Sequence, residues 1–386
     1  MKISDYIVDI LVQNRVSKVF GYIGGNNAHI LDSIDNHADI EMVNAVHEQG
    51  AGFSAEGYAR ATGRLGASTV TSGPGATNLV TPIGSCFFDS IPTIFITGQV
   101  NTFEYKYDEP VRQIGFQETD IVSIVKPITK YAVLVDKVEN IRYELEKACY
   151  LAQEGRQGPV LVDIPIDLQY KSLDPESANS FFDSDLYKDL QSKNSLKVDS
   201  KVIRKIGQAI NKAQRPVFLL GGGAKLANIS GELKVLLNKN AIPVVSSLMG
   251  KDVINSDYKY NLGFIGAYGV RYANMTLANC DLLLILGSRL DARQVGRQVE
   301  SFAREAKIIQ VDIDKHELGR KIKGDILVNA DLKVFMNQLN HEEFFPKIEP
   351  WKEKVLEYKK SYPSTETIEK KSKLPNKIIE KISLLL

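Results

Sequence analysis

The chain has 386 residues, 44% of them hydrophobic and 25% charged, with a formal net charge of +1. That length is expected to hold two or three domains, and so small a net charge provides no global field to draw nucleic acid or an anionic membrane surface. Cys86, Cys149 and Cys280 stand far apart with no CxxC pair, which argues against a disulfide framework and a zinc site and suits a reducing cytoplasm.

The opening residues, Met1 to Tyr6, include an acid and no long apolar run, so they do not read as a signal peptide. No stretch approaches the roughly 18 apolar residues of a membrane span. Ser4 to Val12 reads as an amphipathic helix capped by Ser4. Lys18 to Gly21 is a strand ending in a glycine turn, His29 to Ile34 a helix, Ile40 to Asn44 a strand, and Glu48 to Ala61 a helix. Ala67 to Thr71 is a strand, Thr77 to Phe87 a helix, and Thr93 to Thr97 a strand. A helix over Val138 to Glu154 leads to a strand over Val160 to Pro165. This βα alternation implies a parallel sheet covered on both faces.

Residues 172–199 are rich in Ser, Asp and Lys with weak periodicity, and read as a linker. A second α/β unit then begins with a helix over Val202 to Lys212. Its strands are Val217 to Leu220, Pro243 to Ser246, Leu282 to Leu286 and Ile308 to Val311. From Trp351 to Lys373 the chain turns polar and lysine-rich, and Leu374 to Leu386 looks like the first helix of a further domain. The domains expected are therefore 1–171, a linker at 172–199, 200–345, and 346–386 as linker plus that helix.

The residues that carry chemistry cluster early. The string His47-Glu48-Gln49-Gly50-Ala51-Gly52-Phe53-Ser54-Ala55-Glu56-Gly57-Tyr58-Ala59-Arg60-Ala61-Thr62-Gly63 puts one glutamate at the start of an Ala/Gly-rich helix. Ser72-Gly73-Pro74-Gly75-Ala76-Thr77-Asn78 follows the next strand, at a strand's carboxyl end where open α/β sheets bind ligands. A glutamate in a first turn also stabilises the helix dipole, and a Gly-Pro-Gly run is also a tight turn. In this order the strings resemble the pyrimidine-binding domain of thiamine-diphosphate enzymes, most closely the acetolactate synthase branch.

The resemblance implies that Glu48 is the catalytic carboxyl group that activates the cofactor, from a water-poor slot that burial would provide. It implies cofactor contacts from Pro74 and Asn78, and from Tyr22, Ile23 and Gly24 in the Phe20-Gly21-Tyr22-Ile23-Gly24-Gly25 loop, where Ile23 replaces the usual proline. Val111 to Glu118 resembles the segment ending in FQE, so Phe116 and Gln117 are expected to face the reacting carbons. Ala51, Gly52, Ala55 and Ala59 form a small-residue face that suits either a subunit contact or packing on the helix's own sheet.

In the second unit Gly221-Gly222-Gly223, Ser247-Leu248, Gly266, Gly287-Ser288-Arg289-Leu290-Asp291 and Gln310-Val311-Asp312 form a series of glycines and acids near strand ends. Such a series accepts a dinucleotide backbone and a ribose hydroxyl. It resembles the FAD-binding middle domain of the same family. The resemblance implies flavin contacts from Arg289 and Asp291, adenosine-end contacts from Asp312 and Asp331, and a substrate carboxylate at Arg293. A middle domain that packs without flavin is the alternative.

The expected fold is therefore α/β, two doubly wound parallel-sheet domains, with the third, diphosphate- and Mg²⁺-binding domain missing. No metal site is expected among these residues. The activity implied is decarboxylation of pyruvate and transfer of the two-carbon unit to a 2-keto acid, in a homodimer or homotetramer, with this polypeptide inactive by itself. Ile166, where lysine is usual, and the altered 101–110 stretch leave open a keto-sugar nucleotide acceptor. A flavin-dependent pyruvate oxidase and a non-catalytic fragment binding FAD or a partner are the remaining readings.

Overall fold

The computed structural model describes residues 1–194 and 197–363, together with 378, 379, 381, 382 and 385. The chain divides into two compact units, residues 1–195 and 196–386. Each is an open parallel sheet flanked by helices, as the βα alternation implies.

The strands of unit 1 are β1 (Lys18–Gly21), β2 (Glu41–Asn44), β3 (Gly66–Val70), β4 (Thr93–Gln99), β5 (Tyr131–Leu134) and β6 (Pro159–Pro165). They lie in the order β2-β1-β3-β4-β6-β5, all parallel. The central strands β3, β4 and β6 are buried end to end. Helices on both faces leave such strands no wet side, so they favour apolar runs over alternation. The chain passes outward from β1 to β2 and returns past β1 to β3. The connections after β1 and β3 therefore leave in opposite directions, which opens a crevice at their carboxyl ends.

The helices of unit 1 are α1 (Ile3–Gln13), α2 (Ala28–Asp35), α3 (Glu48–Thr62), α4 (Pro74–Asn78), α5 (Val80–Asp89), α6 (Ile121–Val125), α7 (Ile141–Gln153), α8 (Ile166–Gln169) and α9 (Asp185–Asn194). Three expectations are corrected here. Ser4 does not cap α1: the cap position is Lys2, and the buried Ser4 hydroxyl is hydrogen-bonded with Ser33. The helix expected over Thr77 to Phe87 is two, α4 and α5, parted at Leu79; the first begins at Pro74, a first-turn position that suits proline. Residues expected as linker fold onto unit 1. Phe181 is fully buried, ringed by Tyr143, Tyr150 and Tyr187 at 5.5–5.6 Å between centroids. The Glu146 carboxylate accepts from the Ser180 hydroxyl at 2.6 Å and the Phe181 N–H at 2.8 Å.

Unit 2 contains β7 (Pro216–Leu220), β8 (Val244–Ser246), β9 (Asn261–Phe264), β10 (Leu282–Leu286), β11 (Lys307–Asp312) and β12 (Ile326–Asn329). The order is β12-β11-β10-β7-β8-β9, again all parallel. Counted within the unit this is the 3-2-1-4-5-6 arrangement of dinucleotide-binding folds, with its switch point between β7 and β10. Its helices are α10 (Ser200–Lys212), α11 (Gly222–Leu226), α12 (Ser230–Asn240), α13 (Arg271–Ala278), α14 (Ala292–Val295), α15 (Leu332–Asn340) and α16 (Glu349–Ser361). The last of these lies in the stretch expected as polar linker. Trp351 and Val355 on α16 are buried in the core of unit 2, and the Trp351 indole donates to the Pro216 carbonyl at 3.2 Å. The helix expected over Leu374 to Leu386 lies largely outside the described residues.

Candidate functional site

The crevice of unit 1 is built by three connections: 22–27 after β1, 45–47 after β2, and 71–73 after β3. His47 caps α3 with its own side chain, Nδ1 accepting from the Gln49 N–H at 3.1 Å. This fixes Glu48 as the first residue of the helix. The Asn78 amide nitrogen, at the end of α4, donates to Glu48 Oε2 at 2.9 Å. Oε1 has no partner among the described residues, and a Cβ on Gly75 would stand 3.6 Å from it. The structure thus brings Glu48 of α3 together with Gly75 and Asn78 of α4.

The other two connections lock to each other. The Asn26 N–H donates to Thr71 Oγ1 at 3.2 Å, and its side-chain amide donates to Ser72 Oγ at 2.7 Å. Gly24 lies so close to Thr71 that a Cβ there would be 2.4 Å from the threonine Cβ. Tyr22, Ile23 and Pro74 are exposed, and a Cβ on Gly25 or Gly50 would meet nothing within 4 Å. The crevice therefore has an open side, and Val46 beside it is 97% exposed. Glu48 is half-buried in this chain.

The small-residue face of α3 is spent inside the unit. Ala51, Ala55 and Ala59 are buried, Gly52 abuts Pro82 of α5, and a Cβ on Gly66 would stand 2.3 Å from the Ala55 carbonyl oxygen. Of the two roles open to that face, packing on its own sheet and helix is the one observed.

Phe116 is 82% exposed, and Gln117 follows with a left-handed φ of 60°. Gln117 lies against Gly73 of the glycine turn, so this distant segment joins the crevice. Glu118 was read only as the end of a motif. It is buried and accepts from the N–H groups of Lys106 at 2.8 Å, Ile114 at 2.6 Å and Gly115 at 3.3 Å, pinning the loop that presents Phe116. Asp163, Thr97 and Gln99 beneath the loop were also missed. Burial pushes the Asp163 carboxyl up to about 7, with Asp120 adding to the shift. Its only local signal was an acid inside an apolar strand.

In unit 2 the expected nucleotide residues lie at the carboxyl ends of all six strands, with Gly266 after β9 and Asp331 after β12. The turn at Gly221 and Gly223 packs backbone to backbone against Gly287, with the Gly223 N–H donating to the Gly287 carbonyl at 3.0 Å. A Cβ on Gly221 would stand 1.9 Å from that oxygen, so two of these glycines are required by the fold itself. Leu248 is 65% exposed and Arg289 is exposed. Ser247 caps the short turn after β8 through the Gly250 N–H. Asp291 caps α14, accepting from the N–H groups of Arg293 and Gln294, and Asp331 caps α15, accepting from those of Lys333 and Val334. Asp312 Oδ1 accepts from the Asp314 N–H at 2.9 Å. Gly266, at φ 102°, lies against the Arg293 backbone, and the Arg293 guanidinium sits 6.0 Å from the Tyr268 ring centre. Arg289, Asp291, Arg293 and Gly287 thus share one turn.

Among the described residues, no group of three or more His, Cys, Asp or Glu could hold a metal ion, and no helix is long and apolar enough to cross a membrane.

Residues 1–124 match the N-terminal TPP binding domain model of thiamine pyrophosphate enzymes, and residues 203–339 match the central domain model. The chain is similar to acetolactate synthase 2, chloroplastic, of Nicotiana tabacum, with 38% identity over 341 residues, 87% of this chain and 49% of that protein. It is 37% identical to the chloroplastic acetolactate synthase of Arabidopsis thaliana over 340 residues, 87% and 48% of the two chains. The acetolactate synthase large subunit of Cyanidium caldarium is 32% identical over 388 residues, 98% and 65%. The chain spans about half to two thirds of the length of these curated relatives.

Proposed function

The chain belongs to the thiamine pyrophosphate enzyme family, and we propose that it supplies the pyrimidine-binding and central domains of an acetolactate synthase-like carboligase. The substrates of this reading are pyruvate and a 2-keto acid acceptor. The observation that carries it is the Glu48–Asn78 pair at the β1/β3 switch point, with one carboxylate oxygen held and the other unpartnered beside a glycine turn.

Bound thiamine diphosphate supplies the carbanion chemistry that lets a keto acid lose carbon dioxide. The residues of this chain fit its pyrimidine end. Glu48 Oε1 is the group to hold a proton at the ring nitrogen, and Asn78 fixes the carboxyl plane by its hydrogen bond to Oε2. Gly24, Gly73 and Gly75 let backbone approach a flat ring closely. Tyr22, Ile23, Pro74 and Phe116 present exposed surface with which to exclude water. Gln117 offers an amide to orient the reacting carbonyls. The exposed Arg293 guanidinium suits the acceptor's carboxylate.

FAD is proposed at the β7/β10 switch point, near Gly222, Ser247, Leu248, Gly266, Arg289 and Asp312. Asp291 and Asp331 already serve as helix caps, so their part in holding it runs through positioning α14 and α15. Mg²⁺ and the diphosphate are assigned to a further domain, a homodimer or homotetramer to the assembly, and the cytoplasm to the compartment, in keeping with three buried free cysteines.

The test uses the protein at its natural length, with pyruvate, thiamine diphosphate and Mg²⁺, reading acetolactate formed. Glu48→Gln is expected to lower kcat by at least about a hundredfold, the scale of a lost acid–base group. Asn78→Ala should cost about tenfold, the scale of one hydrogen bond. Undiminished turnover in Glu48→Gln would sink the proposal.

A further inference from the structure

The segment carrying Phe116 and Gln117 has no helix or strand to hold it, and its conformation is set from beneath by a buried carboxylate. Asp163 lies on β6, beside β4, and is 1% exposed. The Thr97 hydroxyl donates to its Oδ1 at 2.7 Å, and the Gln99 amide nitrogen donates to its Oδ2 at 2.8 Å. The same amide nitrogen donates to the Thr119 carbonyl at 2.8 Å. Gln99 Oε1 accepts from the Val100 N–H at 3.0 Å, which fixes the orientation of the amide. Thr119 is two residues after Gln117. Glu118, between them, is pinned by three N–H groups. Gln117 must therefore turn between two fixed points, and it does so in the left-handed region, a strained conformation that the surroundings have to hold.

We infer that Asp163 is a positioning residue for Gln117: through the Gln99 amide it fixes the Thr119 carbonyl and with it the left-handed turn that sets Gln117 over Gly73. The inference rests on the reading of Phe116 and Gln117 as the wall of the substrate site. Asp163 acts through Gln99 and touches neither loop residue itself. The titratable groups facing it are Asp120 at the start of α6 and Tyr105 in the loop. Its carboxyl exchanges a proton near neutral pH, and both forms serve. A proton on Oδ1 turns toward the Thr97 hydroxyl and leaves Oδ2 accepting from Gln99. An asparagine makes the same two contacts, with its oxygen toward Gln99 and its nitrogen toward Thr97. A valine makes neither.

Amide hydrogen exchange on the unliganded chain compares wild type, Asp163→Asn, Asp163→Val and Gln99→Leu. The Val and Leu variants should raise exchange over residues 114–119 by about tenfold, the scale of one hydrogen bond. Asp163→Asn should match wild type, and amides of β1 and β3 should be unmoved in all. In the cofactor-loaded protein at natural length, Gln99→Leu should lower kcat with little change in pyruvate KM. Asp163→Asn should keep kcat, with a pH profile matching wild type, since either form of the acid holds Gln99. Unchanged exchange over 114–119 in Gln99→Leu overturns the inference even where Asp163→Val fails to fold. An Asn variant as loose as the Val variant overturns it too. The exchange response without any carboligation by wild type would instead sink the functional reading and leave the positioning role standing.

Discussion

Gly73 and Gln117, far apart in sequence, occupy one volume: a Cβ on Gly73 would stand 2.8 Å from the Gln117 Cβ and 2.9 Å from its carbonyl oxygen. Gly73 also has φ 62° and ψ −126°, a region that side chains rarely adopt. Gly73→Ala therefore meets both backbone strain and a clash. It should destabilise unit 1 by about 1–3 kcal/mol and displace Gln117, lowering activity beyond what the stability loss explains. Gly50→Ala, with nothing within 4 Å of the added carbon, is the matched control and should be tolerated. Urea unfolding of both variants, followed by activity at equal folded fraction, checks this; equal losses in the two would refute the packing argument.

A second expectation concerns pH and stability. An aspartate in the unfolded chain titrates near pH 4, whereas burial holds the Asp163 carboxyl at about 7 in the folded protein. The folded state thus keeps its proton longer. Stability from this group is greatest below the unfolded value and falls as pH rises through the window from about 4 to 7, by a total on the order of a few kcal/mol. Asp163→Asn lacks that titration and keeps the hydrogen bonds. Its melting temperature should match wild type at about pH 3.5 and exceed it at about pH 8. Thermal unfolding of the pair across that range is the measurement, and parallel curves would rule out a titrating Asp163.

Legibility in the sequence followed the burial of each element. β7 and β10 were readable because fully buried parallel strands are continuous apolar runs, such as Leu282 to Leu286. The strands missed, β5, β9 and β12, all lie at sheet edges and are only partly buried. There the apolar signature fades and four residues carry no period. The 172–194 stretch and α16 read as polar connections because each is held by very few buried side chains, Leu173 and Phe181 in one and Trp351 with Val355 in the other. The local half of the site, Glu48 to Asn78, was contiguous and therefore visible. Gly73 against Gln117 and Gln99 against Thr119 are contacts between distant segments, which no window of sequence contains.

Asp291 and Asp331 show the same limit from the other side, since the residue type was legible in the sequence and the helix cap was not. Each carboxylate accepts two N–H groups at the start of a helix. Asp331→Ala should cost unit 2 about 1 kcal/mol, and Asp331→Ser, which keeps a capping oxygen, much less. Flavin retention separates the roles. Recovery by serine means the acid acts through α15, and loss in both variants means that it touches the nucleotide directly. The readout is FAD absorbance remaining after gel filtration.

Trp351 is the only tryptophan in the chain, and its indole is buried on α16 with its N–H on the Pro216 carbonyl at the start of β7. Intrinsic fluorescence therefore reports the folding of unit 2. Trp351→Ala removes a large buried ring and leaves that carbonyl without its donor, for an expected loss of about 3–5 kcal/mol. Trp351→Phe keeps most of the packing and loses the hydrogen bond, for about 1 kcal/mol. Circular dichroism during urea unfolding measures both variants, since neither retains the fluorophore. If α16 were only a connecting segment, both substitutions would fall within about 0.5 kcal/mol of wild type, as surface changes do, and the assignment of this helix to the core of unit 2 would fail.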